Sequence, residues 1–568
     1  MCGPLRLWRT SSLRIRSFVP ASQRPVRLSY CIRFCATMAK EKKNKNKETL
    51  KNPKGTRDWF GDDIVLLKAI RRQIETVFEK YRAQELDTPV FELQEVLKGK
   101  YGEDSKLIYD LQDQGGELLS LRYDMTVPFA RWLAMNPDIE SSKRYAIGKV
   151  YRRDQPAISK GRMREFWQCD IDFAGETAPM FNDSEIISCV VKIFEALEWT
   201  RYTIKLNDRR ILDGLFEVSG VPEDKLRTIS SAVDKLDKLP WEEVKKEMVE
   251  QKGLDESVAD KIRTYVTRKG GKELLEELQK DEALMNNPKA KKGIEEMGLL
   301  MRYLQRWKAL DKISFDLSLA RGLDYYTGVI YEVVTEGSAG VSAPAPTAVE
   351  ESAPPMPPVA STESGSTDPP VAPTSTANGV PRRGKEKKKV SEDEDRSDDP
   401  TVGVGSVAAG GRYDNLVERF RPGANMPCVG VSFGIDRIIA ITKARIAKGE
   451  RFSYIKANRT DAYIMAFGGS GFSGMFEERI DVLAALREAG LRAETFSKQK
   501  AKLQKQFQLA DRAAAPVAVI LGEDEQARGE VKVKQMGLPD GHPEKDGVLV
   551  KGADLIAKVQ AVLEQLDK

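Results

Sequence analysis

Residues 320–334, ARGLDYYTGVIYEVV, place a fixed cation just before a glycine, then a carboxylate and two adjacent phenols before a second glycine, at the mouth of an alternating β-branched strand. Such a set is suited to grip a small polar molecule. A second group lies in FWQCDIDF, residues 166–173. Strand side chains alternate faces, so Phe166, Gln168, Asp170 and Asp172 share one side. Trp167, Cys169, Ile171 and Phe173 share the other, an apolar face expected to pack on a helix. Asp124 and Thr126 of RYDMTVP likewise share a face. VYRRDQPAISKGRMRE, residues 150–165, reads as a strand ending in Arg152, then a loop with Lys160, Arg162 and Arg164. Strand, basic loop and antiparallel strand make a cradle for a nucleotide triphosphate, because guanidinium grips phosphate oxygens bidentately. An arginine-rich hairpin is equally at home as a solvated turn.

Several chemistries are excluded or weakened. The one histidine, His542, sits in the turn-like LPDGHPEKDG and reads as a loop residue, so no protein imidazole is expected to serve as acid or base. The six cysteines form no CxxC pair, which argues against a zinc site or a disulfide framework. No GxxxxGK[ST] is present. No apolar run nears the roughly 18 residues of a membrane span. A net charge of +5 permits a nucleic-acid partner without demanding one.

The elements that must position these residues follow from periodicity. At 568 residues, two to four domains are expected. Ile64, Leu67, Ile70, Ile74, Val77 and Phe78 recur at helical spacing. LDTPVFELQEVL reads as a strand holding Pro89, and SEIISCVVKIFEAL as a helix over a strand-rich region. A charged, helix-rich block covers 208–312. Residues 337–402 hold 11 of the 28 prolines and runs of both charges, too little apolar surface to offset ordering entropy, and read as a disordered insertion between two strands of one sheet. The catalytic domain is thus 53–336 with 403–455. From 456 to 568 the pattern becomes βαβα, a separate α/β domain. There GSGFSG, Gly469 to Gly474, matches a dinucleotide fingerprint by spacing, with Glu494 about twenty residues on; a lone GxGxxG is weak, since any tight βα turn can be glycine-rich. KQKAKLQKQF reads as a helix lining up Lys498, Lys502 and Lys505, either for RNA or as a solvated face.

Residues 1–37 carry seven arginines, seven Ser/Thr and no acid, the composition of a mitochondrial presequence; a basic arm that binds RNA is the alternative. Residues 38–52 are a basic, disordered arm with a second possible start at Met38.

Taken together, these segments resemble the histidyl-tRNA synthetases, of the eukaryotic type. VYRRDQPAISKGRMREFWQCDIDFAG is similar to motif 2 of class II aminoacyl-tRNA synthetases, VGVSFGIDRI to motif 3, and LDTPVFE to motif 1, whose proline sits at a dimer interface. RGLDYYTG and AAGGRYDNL resemble the two signature motifs of the family. The resemblance implies an α/β (α+β) chain: an antiparallel-sheet catalytic domain with a helical insertion, plus a C-terminal α/β anticodon-binding domain. It implies ATP as a substrate with Mg²⁺ on its phosphates, L-histidine and tRNA(His) as partners, a homodimer, and no resident metal ligands or membrane. By position, Arg152, Arg164 and Arg437 would hold ATP phosphates, and Arg321 the α-phosphate and the histidine carboxylate; Arg321 and Arg152 would be the catalytic pair. Asp124, Thr126 and Gln168 would hold the amino group. Asp172 and Tyr326, with Tyr325 beside them, would read the imidazole, on the reckoning that Gln168 and Asp172, two pleats apart, match the amino-to-ring distance. Met163 stands where a tyrosine is expected.

Two rivals from other classes are a histidine-binding regulatory paralogue without charging activity and a nucleotide-dependent oxidoreductase built on GSGFSG. The first tends to lose catalytic arginines, which are present here; the second leaves RGLDYYTG unexplained. For the leader, residues 1–37 fused to a fluorescent reporter are expected to send it to mitochondria, and a chain starting at Met38 to stay in the cytosol. Purely cytosolic fluorescence would leave the basic-arm reading.

Overall fold

The computed structural model describes residues 50–566 apart from 99–101, 114, 238, 323–325, 337, 339–394, 400–401, 456–459 and 501. The presequence, most of the basic arm, Tyr325 and the greater part of the 337–402 stretch lie outside the described residues.

The described strands are β1 (Gln84–Glu85), β2 (Phe91–Leu93), β3 (Leu119–Leu121), β4 (Ser142–Tyr151), β5 (Glu165–Ala174), β6 (Tyr202–Asp208), β7 (Lys269–Gly270), β8 (Ile313–Asp316), β9 (Val329–Thr335), β10 (Ala408–Arg412), β11 (Cys428–Gly434), β12 (Ala462–Phe467), β13 (Ala493–Thr495), β14 (Val517–Gly522), β15 (Glu530–Gln535) and β16 (Val548–Lys551). One nine-stranded sheet has the order β1-β4-β5-β11-β10-β9-β6-β8-β7. From β4 to β6 every neighbouring pair is antiparallel.

Register assigns the faces. Gln168, Asp170 and Asp172 of β5 stand opposite Gly148, Ala146 and Arg144 of β4, and opposite Gly434, Ser432 and Gly430 of β11. Gly430 in turn meets Gly411 of β10, and Gly411 meets Ile330 of β9. Directly paired residues share a face, so one side of the sheet centre is polar or bare. The opposite side carries Cys169, Ile171, Phe173 and Phe433. It shares one buried core with the helices Asp62–Lys80 and Phe181–Ala196. Leu67, Ile70, Ile74 and Phe78, read as one helix face, are all buried there. Phe194 stacks on Tyr202 at 4.7 Å and tilts against Trp199 at 5.4 Å.

The helix-rich block is signalled by its caps. Asp208, Asp255 and Asn287 each accept a hydrogen bond from a backbone N–H of the helix they precede, and Pro288 opens the longest helix of the block, Pro288–Arg306. Ile229, Val233, Ile262 and Met297 of this block join the core of the large sheet. The C-terminal segment forms a second sheet, β13-β12-β14-β15-β16. β12 runs parallel to β13 and β14, and β15 is antiparallel. Its two faces bury separate clusters, Ile464 with Val519 on one and Tyr463 with Ile520 on the other. Among the described residues no helix is long and apolar enough to cross a membrane.

Some elements differ from expectation. The helix read over Lys498–Phe507 begins only at Leu503, with Lys502 as its extended N-cap. The guanidinium of Arg479 donates to the carbonyls of Lys498 and Gln499 at 3.0 Å, so those groups are not available to a helix. Lys498 and Lys502 therefore lie outside it, and only Lys505 is on it. LDTPVFE is not one strand: Pro89 falls between the short β1 and β2. In the GSGFSG turn the Gly469 N–H donates to Glu523 at 3.0 Å, so a carboxylate already occupies the place a phosphate would need. Within the stretch read as wholly disordered, residues 395–399 are bonded to the loop 156–160.

At Gly410 an added Cβ would lie 2.1 Å from the carbonyl oxygen of Gly430. Gly410→Ala is expected to destabilise the large sheet by about 3 kcal/mol, the scale of overpacking, seen as a lower thermal midpoint in the full chain. An unchanged midpoint would show that the strands can separate there freely.

Candidate active site

A cavity of 440 Å³ opens on the polar face of the large sheet, a size suited to a small molecule. Distant segments line it: Tyr123, Asp124 and Thr126, parts of the hairpin between Arg152 and Gln168, Leu319–Gly322 with Tyr326, Ser406–Gly410, and Ser432, Gly434, Asp436 and Arg437. Arg227, Ser231 and Asp234 reach it from the helical block.

Four guanidiniums converge at one end. Arg152 donates from Nε to the Tyr123 carbonyl at 3.1 Å and lies over the Tyr123 ring at 4.1 Å and the Phe166 ring at 5.2 Å. Arg162 is held by Asp154, with Nε at 2.8 Å. Arg321 pairs with Glu332 and donates to Ser406 Oγ at 2.6 Å. Arg437 donates to the Ser406 carbonyl, also at 2.6 Å, so one residue fastens two of the four. Burial opposes the charge of Arg321, but Glu332 and then Asp234 more than offset this and raise its pKa. Arg437 goes the other way: burial, then Arg321, Arg152 and Arg162, lower it to about 10. Like charges gathered in a desolvated pocket make a site for a polyanion.

The other end is acidic and amide-lined. Asp124 accepts from the Thr126 and Val127 N–H groups, both at 3.1 Å, which fixes it at the start of the helix Thr126–Met135. Gln168 is buried against the cavity, and its Oε1 has no hydrogen-bond partner among the described residues. A waiting acceptor of this kind suits an ammonium donor. Tyr326 lies over bare backbone: a Cβ on Gly411 would come 2.8 Å from its ring, and one on Gly322, at φ 62°, 2.2 Å.

The cavity brings together Arg152, Arg321, Arg437, Asp124, Thr126, Gln168 and Tyr326. Arg164 and Asp172 are not in its lining. Arg164 packs on Gly55 and donates to the Asp154 carbonyl at 3.0 Å, bracing the hairpin from outside, while Arg162 takes the inner position. Asp172 is paired with Arg144 at 2.7 Å and accepts from the Tyr413 hydroxyl. The spacing reckoned from Gln168 to Asp172 also needs correction. Four residues of strand cover about 13 Å, twice the amino-to-ring distance of histidine, and it is the two-residue step to Asp170 that spans about 6–7 Å. Ser406, Glu332, Arg227 and Asp234 were not singled out from sequence. Ser406 is far in the chain from Arg321, and Asp234 likewise, whereas Glu332 lies within the same stretch as the arginine it pairs with, where strand alternation gave no sign of the contact. His542 is exposed, in a turn outside the lining.

An antiparallel sheet with an arginine-lined cavity on its bare face, entered by a basic hairpin, is the catalytic domain of a class II aminoacyl-tRNA synthetase. The histidyl-tRNA synthetase family profile matches residues 55–343, and an anticodon binding domain profile matches 461–561. The chain is 48% identical over 532 residues to the mitochondrial histidine–tRNA ligase of Saccharomyces cerevisiae, covering 92% of this chain and 89% of the relative. It is 43% identical over 554 residues to the cytoplasmic histidine–tRNA ligase of Takifugu rubripes, covering 97% and 95%. The crystal structure of histidyl-tRNA synthetase from Nostoc sp. PCC 7120 superposes with a TM-score of 0.65 at 25% identity, covering 91% of this chain and all of that one. The chain belongs to the histidyl-tRNA synthetase family.

Asp170 gives this site a pH signature. Burial, with Asp172 and Asp124 nearby and Arg144 and Ser432 in partial opposition, pushes its carboxyl up to about 7. A raised folded value means the native state holds the proton more tightly, so stability falls as pH rises from about 4 through 7. Asp170→Asn removes that loss. Its thermal midpoint should exceed the parent's at pH 8 and approach it near pH 4, with a limiting difference of about 4 kcal/mol for three pKa units. Parallel midpoint-versus-pH curves for the two proteins would show Asp170 ionised throughout.

Proposed function

We propose that this chain attaches L-histidine to tRNA(His) in two steps. The histidine carboxylate attacks the α-phosphorus of ATP and pyrophosphate leaves. The terminal ribose hydroxyl of the tRNA then attacks the adenylate carbonyl carbon and AMP leaves. Convergence of Arg152, Arg162, Arg321 and Arg437 at one end of the cavity carries this reading. Positioning and charge stabilisation supply the acceleration. The nucleophile is already ionised, so no general base is assigned. Asp124, Thr126 and Gln168 hold the ammonium group, and Tyr326 meets the ring. Asp172, whose Oδ1 already fills the space that a Gly430 Cβ would take and accepts from Tyr413, supports the imidazole end from beneath the cavity. Bound to the ATP phosphates, magnesium would supply charge shielding beside the four arginines. Among the described residues no group of three or more His, Cys, Asp or Glu is placed to hold a metal ion.

Residues 461–561 bind the anticodon, as the matched domain's description has it. Val90, Phe91, Leu111 and Leu118 are exposed around β2 and β3, beside the motif 1 proline, and form the homodimer contact. The relatives are named for both compartments, which supports two products, from Met1 in mitochondria and from Met38 in the cytosol. The regulatory alternative finds no support in a chain that keeps Arg152, Arg321, Arg437 and the C-terminal domain.

Pyrophosphate exchange tests this. Histidine alone among the amino acids should drive it. Arg321→Ala should lower kcat by about a hundredfold, the scale of a lost transition-state donor. Gln168→Ala should raise the histidine KM about tenfold with the ATP KM unchanged, the cost of one charge-assisted hydrogen bond. Equal effects on both KM values would place the ammonium elsewhere.

A further inference from the structure

Residues 395–399, Asp-Arg-Ser-Asp-Asp, end the long proline-rich stretch. They lie against the outer edge of the hairpin loop whose inner edge, Asp154 and Gly161–Met163, lines the cavity. The contacts are regular. The Arg396 N–H donates to the Pro156 carbonyl at 2.8 Å. The Ile158 N–H donates to Asp395 Oδ1 at 3.3 Å, and the Ser159 N–H to Ser397 Oγ at 3.0 Å. The Lys160 ammonium donates to the Asp399 carbonyl. Internal bonds keep the five residues in shape: Ser397 Oγ donates to Asp395 at 2.8 Å, and Arg396 Nε to Asp399 at 3.1 Å. On the opposite side the loop is pinned at Gly161, where a Cβ would lie 2.5 Å from the Asp436 carbonyl oxygen.

The loop is therefore gripped from two sides, by the start of the helix Ile435–Ala447 and by this segment. Backbone bonds to Pro156, Ile158 and Ser159 fix the loop's path, and an acidic run meets a basic loop. Lys160, a cation that could have reached for phosphate, is turned outward.

We infer that residues 395–399 are positioning residues for ATP: they clip the outer edge of loop 152–164 so that Arg152 and Arg162 stand ready for the triphosphate. This rests on reading that loop as the ATP cradle. A loop ordered before the ligand arrives costs less to order on binding, so losing the clip should appear in the ATP KM. The clip lies within the long stretch but is separable from it, and residues 339–394 are dispensable.

The test uses the full chain. In one variant ten Gly/Ser residues replace 339–394 and keep 395–399. In a second, 395–399 are also changed to Gly/Ser. Arg396→Pro, which removes the donor to Pro156, and Ser397→Ala against Ser397→Thr, which keeps the hydroxyl, give finer cuts. Pyrophosphate exchange is measured over ATP and histidine concentrations, with thermal midpoints alongside. The first variant should match the parent. The second and Arg396→Pro should raise the ATP KM about five- to tenfold with the histidine KM and midpoint unchanged, and Ser397→Thr should retain what Ser397→Ala loses. An unchanged ATP KM in the second variant, a lowered one, or equal loss in both KM values overturns the inference. Arg162→Ala is the control. If it raises the ATP KM and the clip variants do not, the clip alone fails; if it also leaves the ATP KM unchanged, the cradle reading fails with it.

Discussion

The buried pair Arg144–Asp172 is the interaction on which the rest of the site hangs. Both residues are 2% exposed and sit directly opposite on β4 and β5, 2.7 Å apart. Arg144 also donates to the Met125 carbonyl at 2.8 Å and lies over the Phe129 ring at 4.6 Å. Asp172 accepts from the Tyr413 hydroxyl. One ion pair thus ties two strands to the turn carrying Asp124 and Thr126 and to the AAGGRYD segment. Removing either partner would strand a charge in the core, a cost of several kcal/mol. The pair is weak evidence for net stability, yet it fixes where four separate segments meet.

Around that anchor the cavity is electrically divided. Asp124 and Gln168 stand at one end, and four guanidiniums at the other. On the proposed function, an amino acid and a nucleotide triphosphate would enter such a field in one orientation, ammonium towards Asp124 and phosphates towards the arginines. Where they meet, Arg321 is held to its own carboxylate, Glu332, and shares Ser406 with Arg437. The shared anchor fixes the spacing of the two cations, so a phosphate between them meets donors already in place.

Much of this was legible in the sequence, for identifiable reasons. Alternation alone assigned Gln168 and Asp172 to the polar face and Cys169, Ile171 and Phe173 to the core, because one face of the sheet is packed and the other is not. Spacing within a strand misled where it was turned into a distance, and the identity of the basic residue facing inward, Arg162 rather than Arg164, depended on Gly55 and Asp154. Long-range partners were invisible: nothing local links Ser406 to Arg321, or Arg479 to the Lys498 and Gln499 carbonyls that it keeps out of the helix. The proline-rich stretch was misjudged at its end for the same reason, since Asp395 and Ser397 gain their meaning only from Ile158 and Ser159.

That stretch also explains how a long insertion can sit inside an active-site sheet. β9 and β10 pair across it, Val333 with Ala408, and the neck is closed by the Gly405 N–H donating to the Ser338 carbonyl at 2.9 Å. Loop-closure entropy grows only as the logarithm of length, so once the neck is bonded the two strands are insensitive to how much chain lies between. The residue after the neck, Ser406, is the one that fastens Arg321 and Arg437. Length is therefore free to vary before residue 395, while residues 395–399 and Ser406 at its return are held by their contacts to the hairpin loop and to Arg321 and Arg437. The constraint lies in where the chain re-enters the sheet.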